Sequence, residues 1–169
     1  LGYFHCFFMS AKKPNVIILS VMPAKSDLET DIGLALIKKH KNSSNRVIGV
    51  LTKPDLMNHD NHIGDYLLDK ISHNLKLDGG YFVVKNKVPT DTLSIRETEQ
   101  LYFNSHNEYK KPQYQHKLGY DSLVQYLTAS LVSSIKTALP SVKQEIDLFD
   151  EEVTKKLSMF GRTIPTTKD

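Results

Sequence analysis

Three short runs of apolar residues have the length and composition of buried β-strands. They cover residues 16–22, 47–51 and 81–84, and β-branched residues are frequent in them. Strands of a parallel sheet are buried on both faces, so they form continuous apolar runs rather than alternating ones. Helix-type patterns lie between the runs. This alternation predicts an α/β fold with a parallel sheet.

Two capping boxes predict where helices begin. Ser26 and Glu29 form the first, and Ser94 and Glu97 form the second. The first helix is predicted to run to about residue 41. Its expected buried face consists of Leu28, Ile32, Ala35 and Leu36. The second helix carries Leu101, Tyr102 and Phe103.

Periodicity alone predicts two further helices. The first is the end of a helix in residues 1–13, with an apolar face made of Tyr3, Cys6, Phe7 and Phe8. The second is marked by Tyr66, Leu67, Ile71 and Leu75. Gly79 and Gly80 then turn the chain into the third strand.

The C-terminal third is strongly helical. After Gly119, one apolar stripe consists of Tyr120, Leu123, Val124, Leu127, Leu131, Ile135 and Leu139. Pro140 is expected to break or kink the helix. A second set, which we call the C-terminal seam, consists of Val142, Ile146, Phe149, Val153, Leu157 and Phe160. Its spacing is close to a heptad pattern and requires a partner helix. The seam either packs on the helix of residues 120–139 or stays exposed. Gly161 is the expected C-cap.

Composition and charge exclude several classes of protein. The chain has 169 residues, 40% of them hydrophobic, and a formal net charge of +3 at pH 7. This length fits one domain with a small appendage, and the apolar content is typical of a globular chain. The charges are mixed and form no Lys/Arg block, so no nucleic-acid partner is expected. Cys6 is the only cysteine, which excludes an internal disulfide and fits a reducing compartment.

Residues 1–9 do not have the pattern of a signal peptide, because they lack a basic leading region and a small-residue cleavage site. The apolar runs are far shorter than the roughly 20 residues that cross a membrane. Position 1 is Leu rather than Met. We therefore expect the chain to be part of a longer protein.

The stretch Thr52-Lys53-Pro54-Asp55 follows the central strand at its carboxyl end, where parallel sheets bind ligands. A carboxylate such as Asp55 accepts two hydrogen bonds side by side, and guanine presents an N–H and an amine on one edge. The Lys53 stem can lie flat on a base while its ammonium stays hydrated. The alternative is an ordinary turn in which Asp55 caps the next helix. The residues alone leave both interpretations open.

Other candidate sites are weaker. His59, His62 and His73 show no metal-ligand spacing on a defined scaffold, and no nucleophile-elbow pattern is present. Cys6 lies on an apolar face and is expected in the core. Four tyrosines are interpreted as packing residues rather than a base-stacking platform: Tyr102, Tyr109, Tyr114 and Tyr120.

Taken in order, four segments resemble the dynamin superfamily of large GTPases, and its Mx proteins most. They are Ser26-Asp27-Leu28, the stretch from Ile48 to Leu56, the stretch from Gly80 to Lys87, and Leu139-Pro140 with the helix that ends at Phe160-Gly161. The resemblance covers residues 15–161. It implies an α/β fold that is part of a P-loop GTPase domain of the dynamin type, with C-terminal helices.

The resemblance also implies a nucleotide site. Thr52, Lys53 and Asp55 match the family's guanine-specificity motif. Asn86 and Lys87 match its second base-contacting loop, where relatives have Asn or Cys followed by Arg. The implied roles are base reading by Asp55, stacking by Lys53 and walls formed by Asn86 and Lys87. The implied ligand is GTP or GDP, with Mg²⁺ expected only in the full-length parent.

The match has departures. Lys87 keeps the charge of the family's Arg but loses its planar fork, and Val88 replaces a small or polar residue. Asp27 matches an aspartate that in dynamins reaches across the dimer interface, whereas Asn58 stands where these proteins often have an acidic residue. The resemblance therefore implies a dimer contact at Asp27 that differs in detail.

Two catalytic motifs of the family are not in this sequence. No Gly is followed by Lys, so the phosphate-binding motif G-x-x-x-x-G-K-[ST] is missing, and no Asp is followed three residues later by Gly. We therefore interpret residues 1–138 as the C-terminal part of a GTPase domain, 139–161 as a bundle-signalling-type helix, and 162–169 as a hinge. We expect this chain alone to be inactive.

For the parent protein, the resemblance implies GTP hydrolysis coupled to self-assembly and to remodelling of a membrane or another target. It implies a cytoplasmic location, a dimer of GTPase domains, stalk oligomers, and contact with membrane lipid or cytoskeleton through regions outside this chain. The alternative function is a non-catalytic helical assembly module that has lost nucleotide binding.

Overall fold

The predicted strands form one parallel sheet in the computed structural model, which describes residues 16–38, 46–57 and 63–161. The strands are β1 (Ile18–Pro23), β2 (Val47–Thr52) and β3 (Tyr81–Val84), in the order β1-β2-β3. Both strand pairs are parallel. The prediction of a parallel α/β sheet is therefore confirmed. The predicted helix in residues 1–13 and the hinge in 162–169 lie outside the described residues.

Four helices accompany the sheet in these ranges. They are α1 (Ile32–Lys38), α2 (Ile63–Leu67), α3 (Ile95–Ser105) and α4 (Gly119–Met159). Short 3₁₀ turns cover Pro54–Leu56, His73–Leu75, Asn107–Lys110 and Pro112–Lys117. The chain divides into two units, residues 1–130 and 131–169. The sheet and the first three helices belong to the first unit.

Strands β2 and β3 are buried because apolar side chains cover both of their faces, whereas β1 is buried on one face only. One face carries the larger core cluster, which includes Leu34, Val47, Leu51, Tyr81 and Val83. The other face carries Ile48, Val50, Phe82, Val84 and Leu123. Leu123 belongs to the first turns of α4, and the ring centroids of Tyr126 and Phe82 are 5.0 Å apart. These turns are thus anchored on the sheet, as their apolar stripe predicts.

Helix α1 begins later than predicted. The Asp27 Oδ1 accepts a hydrogen bond from the Glu29 backbone N–H at 3.0 Å, which forms a local turn instead of a helix cap. The cap is Asp31, whose Oδ1 accepts from the Leu34 backbone N–H at 2.9 Å. The predicted face is therefore wrong within the helix: Leu34 is buried, whereas Ile32 is 72% exposed. Leu28, which precedes the helix, is buried as predicted.

The helix predicted around residues 66–75 is also interrupted. Helix α2 ends at Leu67, and Asp69 has a positive φ of 55°. This left-handed conformation is one that Asp tolerates better than most residues, and it stops a right-handed helix. Leu75 is nevertheless buried, in a separate 3₁₀ turn.

The second capping box is confirmed. The Ser94 side chain accepts from the Glu97 backbone N–H, and the Glu97 Oε2 accepts from the Ser94 backbone N–H at 2.9 Å. Hydrogen bonds from the Ser94 hydroxyl and the Ser94 backbone N–H to the exposed Glu97 carboxyl lower its pKa. Ser94 determines where α3 begins, and the start of the helix determines which α3 side chains face the core.

Pro140 does not break the last helix, because α4 continues through it from Gly119 to Met159. Proline removes one backbone donor, and the turns on either side keep theirs. The C-terminal seam lies on the same helix as residues 120–139. Its side chains are exposed. Gly161 has a φ of 82°, which confirms it as the C-cap glycine.

Candidate functional site at the carboxyl edge of the sheet

The carboxyl ends of the three strands lie side by side. Pro23 is in register with Thr52, and Thr52 is in register with Val84. The loops that follow these strands contain Asp27, then Lys53 and Asp55, then Asn86 and Lys87. Thr52 is itself the last residue of β2. The structure thus places all the predicted site residues at the same edge of the sheet, where open α/β sheets bind ligands.

The loop after β2 has an unusual backbone. Lys53 adopts the left-handed conformation, with φ 53° and ψ 51°. For a residue other than glycine this conformation is uncommon, and such positions concentrate at functional sites. Pro54 is buried and starts the 3₁₀ turn that contains Asp55. The Lys53 and Asp55 side chains are exposed as a result.

Thr52 holds the neighbouring strand ends together. Its Oγ1 donates to the Met22 carbonyl at 3.2 Å, and its own carbonyl accepts from the Ala24 backbone N–H at 2.7 Å. A threonine at this position therefore ties the β1 loop to the β2 loop. This is a structural role for a residue that the resemblance places in the base-binding motif.

Lys85 connects the two predicted base loops. Its Nζ lies 3.5 Å from the Asp55 Oδ1 and donates to the Asn86 carbonyl at 3.0 Å. The end of β3 therefore lies beside the Thr52–Asp55 loop. The Asp55 side chain remains 34% exposed, so its carboxylate keeps a solvent-accessible side. Asn86 and Lys87 are exposed in the adjacent loop.

A buried carboxylate lies behind this pair of loops. Glu99, in α3, is 5% exposed. Its Oε1 accepts from the Lys85 backbone N–H at 2.9 Å, and its Oε2 accepts from the Tyr120 backbone N–H at 2.6 Å. Burial raises the pKa of the Glu99 carboxyl, and these hydrogen bonds oppose that rise. One side chain therefore joins the end of β3 to the first turn of α4.

Gly119 makes room for this carboxylate. It has a φ of 85°, a conformation that favours glycine. A Cβ at this position would lie 2.9 Å from the Glu99 Oε2. The glycine that precedes the apolar stripe is thus required both by the backbone conformation and by the close approach of Glu99.

Asp27 is exposed in the turn after β1, and its carboxylate caps that turn through Glu29. Burial raises the pKa of the Tyr66 hydroxyl, and the charges of Asp27, Glu29 and Asp65 raise it further. Asp27 therefore presents negative charge at the same edge of the sheet.

Sequence reasoning missed Lys85 and Glu99. Glu99 precedes Tyr102 and Phe103 by three and four residues, so it shares their helix face. Tyr102 and Phe103 pack against the larger core cluster. A charged residue on a core-facing stripe is the signal that identifies a buried, hydrogen-bonded carboxylate. For Lys85, the signal was its position at the end of a strand beside the base loop.

The weaker candidates divide into two groups. Asn58, His59, His62 and Cys6 lie outside the described residues. Within the described ranges, no group of three or more His, Cys, Asp or Glu side chains could hold a metal ion. The same ranges contain no helix with the length and apolarity needed to cross a membrane. Tyr109 and Tyr114 are buried, as the packing interpretation predicted, whereas Tyr120 is 49% exposed.

Comparison with known proteins identifies the family. The model of the family "Dynamin central region" matches residues 68–169. Dynamin-A of Dictyostelium discoideum is 32% identical over 94% of this chain and 19% of its own length. Dynamin-related protein 12A of Glycine max is 30% identical over 90% of this chain and 25% of its own length.

The interferon-induced GTP-binding protein Mx of Ctenopharyngodon idella is 27% identical over 92% of this chain and 26% of its own length. The chain thus spans about a quarter, or less, of the length of these relatives. Asn86, Lys87, Glu99 and α4 lie in the segment that the family model matches, and Thr52–Asp55 precede it. On both kinds of comparison, this chain belongs to the dynamin family.

Proposed function

We propose that this chain is the guanine-reading part of a dynamin-like GTPase. The observation that carries the proposal is the convergence of Asp55 and the Asn86–Lys87 loop, joined by the Lys85 ammonium 3.5 Å from the Asp55 Oδ1. One of the relatives is itself described as a GTP-binding protein. The exposed side of the Asp55 carboxylate is the group that would recognise the base.

The chemistry of the loop residues fits guanine better than adenine. Asp55 would accept from the ring N–H and the exocyclic amine of guanine, a donor pair that adenine lacks. The exposed Lys53 would lay its aliphatic stem on the base face. Asn86 and Lys87 would wall the pocket, and Thr52 would hold the strand ends beneath it.

The sheet also supports a larger GTPase domain. In β1, Leu19 and Val21 are in register with Ile48 and Val50, yet they are 44% and 64% exposed. Parallel sheets are normally covered on both faces. We infer that further structure covers this face and supplies the phosphate-binding motif. On this proposal, residues 1–138 belong to the GTPase domain, although the boundary at 138/139 falls within α4.

The remaining assignments concern the whole protein. The parent would hydrolyse GTP, with Mg²⁺ held by residues outside this chain. It would self-assemble, with the exposed Asp27 facing a dimer partner, and it would act in the cytoplasm on membrane lipid, cytoskeleton or another target. GTP and GDP are the nucleotides that the proposal requires.

The proposal predicts a preference for guanine in the full-length parent. We expect GDP to bind at least about 100-fold more tightly than ADP, because two hydrogen bonds to a charged acceptor distinguish the bases. Fluorescence competition with a labelled GDP measures this ratio. Equal affinity for GDP and ADP would contradict the proposal.

A second prediction concerns this chain alone. We expect no GTP hydrolysis above a buffer blank, because catalysis of phosphoryl transfer depends on positioning phosphates and metal, and the motifs that do so are missing from the sequence. Phosphate release assays measure the rate. A clear rate that is lost in the Asp55→Ala variant would show this expectation to be wrong.

The alternative function is a non-catalytic helical assembly module. The exposed C-terminal seam favours it, since that surface does not depend on a nucleotide. The two functions are separated by the GDP competition experiment. A parent that assembles but binds neither GDP nor GTP would be the assembly module.

A further inference from the structure

The buried Glu99 carboxylate is not accounted for by base recognition alone. It is 5% exposed, and both of its oxygens accept backbone N–H groups from different elements. A carboxylate costs free energy to bury, and hydrogen bonds to its charged form offset that cost. The two acceptor atoms are thus used to hold two segments that are 35 residues apart, since Lys85 and Tyr120 both donate to Glu99.

The segment that Glu99 holds on one side is the second base loop. Lys85 is fixed at its backbone N–H by Glu99, and its Nζ then reaches both the Asn86 carbonyl and the Asp55 carboxylate. Displacement of the Lys85 backbone would therefore move the wall of the proposed pocket and the cation beside Asp55. Within the described residues, Glu99 is the side chain whose acceptors connect this loop to α4.

We propose that Glu99 is a positioning residue for guanine binding, which clamps the Lys85–Lys87 loop against the first turn of α4. This inference rests on the proposed function and adds a determinant that lies outside the base-contacting loops. Glu99 does not touch the base. It acts through the Lys85 backbone, and Gly119 is the residue whose missing Cβ lets it approach.

The test compares Glu99→Gln with Glu97→Gln in the full-length parent. Glutamine keeps the size of the side chain, but one of its two acceptors becomes an N–H donor facing a backbone N–H. Glu97 lies on the same helix and also accepts a backbone N–H, from Ser94, without contact to the base loops. Glutamine at position 97 keeps a carbonyl oxygen that can accept from Ser94. The control therefore makes the same change in charge on the same helix and leaves the clamp intact.

In E99Q, we expect KM for GTP to rise by about tenfold while kcat at saturating GTP is unchanged, because the clamp affects base binding and not the phosphates. E97Q should change neither value. A purely structural role would lower the active fraction, so that kcat falls with KM unchanged. That result, or unaltered kinetics in E99Q, would overturn the proposal.

A second measurement does not require GTP hydrolysis. In this chain, amide hydrogen exchange by NMR should show that the Lys85 or the Tyr120 N–H loses protection in E99Q, while Val83 in β3 keeps it. Unchanged protection at both amides would overturn the clamp. Failure of the proposed function would give a different result. The Asp55→Ala variant of the full-length parent would then keep the base preference of the wild type, whatever the result for E99Q.

Discussion

Replacement of Asp55 by Asn is expected to change the preferred base of the full-length parent from guanine to xanthine. Xanthine has a carbonyl where guanine has its exocyclic amine. An asparagine side chain can donate to that carbonyl and accept from the neighbouring ring N–H, whereas aspartate can only accept. We expect GDP affinity to fall by about 100-fold and XDP affinity to rise by a similar factor, since each charge-assisted hydrogen bond contributes about 1.5–3 kcal/mol.

The structure offers a matched control for this substitution. Asp78 is an exposed aspartate just before β3, at the opposite edge of the sheet from Asp55. Asp78→Asn makes the same change in charge and should leave the GDP-to-XDP ratio unchanged. Competition binding with both nucleotides measures the ratio. If D55N lowers GDP affinity without raising that of XDP, Asp55 does not read the base edge.

The second large effect concerns self-association. The C-terminal seam lies on one face of α4, and Phe149 and Leu157 are 66% and 63% exposed. Exposed apolar patches of this kind mark interaction surfaces. Burial of each of these side chains against a second copy contributes about 1.5–3 kcal/mol. We expect concentration-dependent association of the chain, and its loss in the double variant Phe149→Ser and Leu157→Ser.

Sedimentation velocity over a range of concentrations measures this association. Gln144 and Glu151 are exposed residues on the opposite face of the same helix, each two positions after a seam residue. The double variant Gln144→Ser and Glu151→Ser should associate like the wild-type chain. A strictly monomeric wild-type chain at high concentration would contradict the prediction, as would equal effects of the two double variants.

The second capping box was predicted correctly from residues that are close in the sequence. Ser94 and Glu97 form the predicted reciprocal hydrogen bonds, because each partner is three residues away and needs no tertiary contact. The first capping box shows where this reasoning fails. Asp27 and Asp31 both supply side-chain acceptors near the start of α1, and the structure uses Asp31 as the cap. Two adjacent cap candidates make the helix start, and hence its buried face, ambiguous.

The sequence by itself determined the three parallel strands, the start of α3 and the order of the loops at the carboxyl edge, because these follow from local periodicity and capping. The tertiary structure decided three other features. It brought the Lys85 ammonium to Asp55, it placed both Glu99 oxygens on distant backbone N–H groups, and it carried α4 through Pro140. The Lys85 and Glu99 contacts depend on strand register and on close packing between segments far apart in the chain. The continuation of α4 depends on the hydrogen bonds of the helical turns on either side of Pro140.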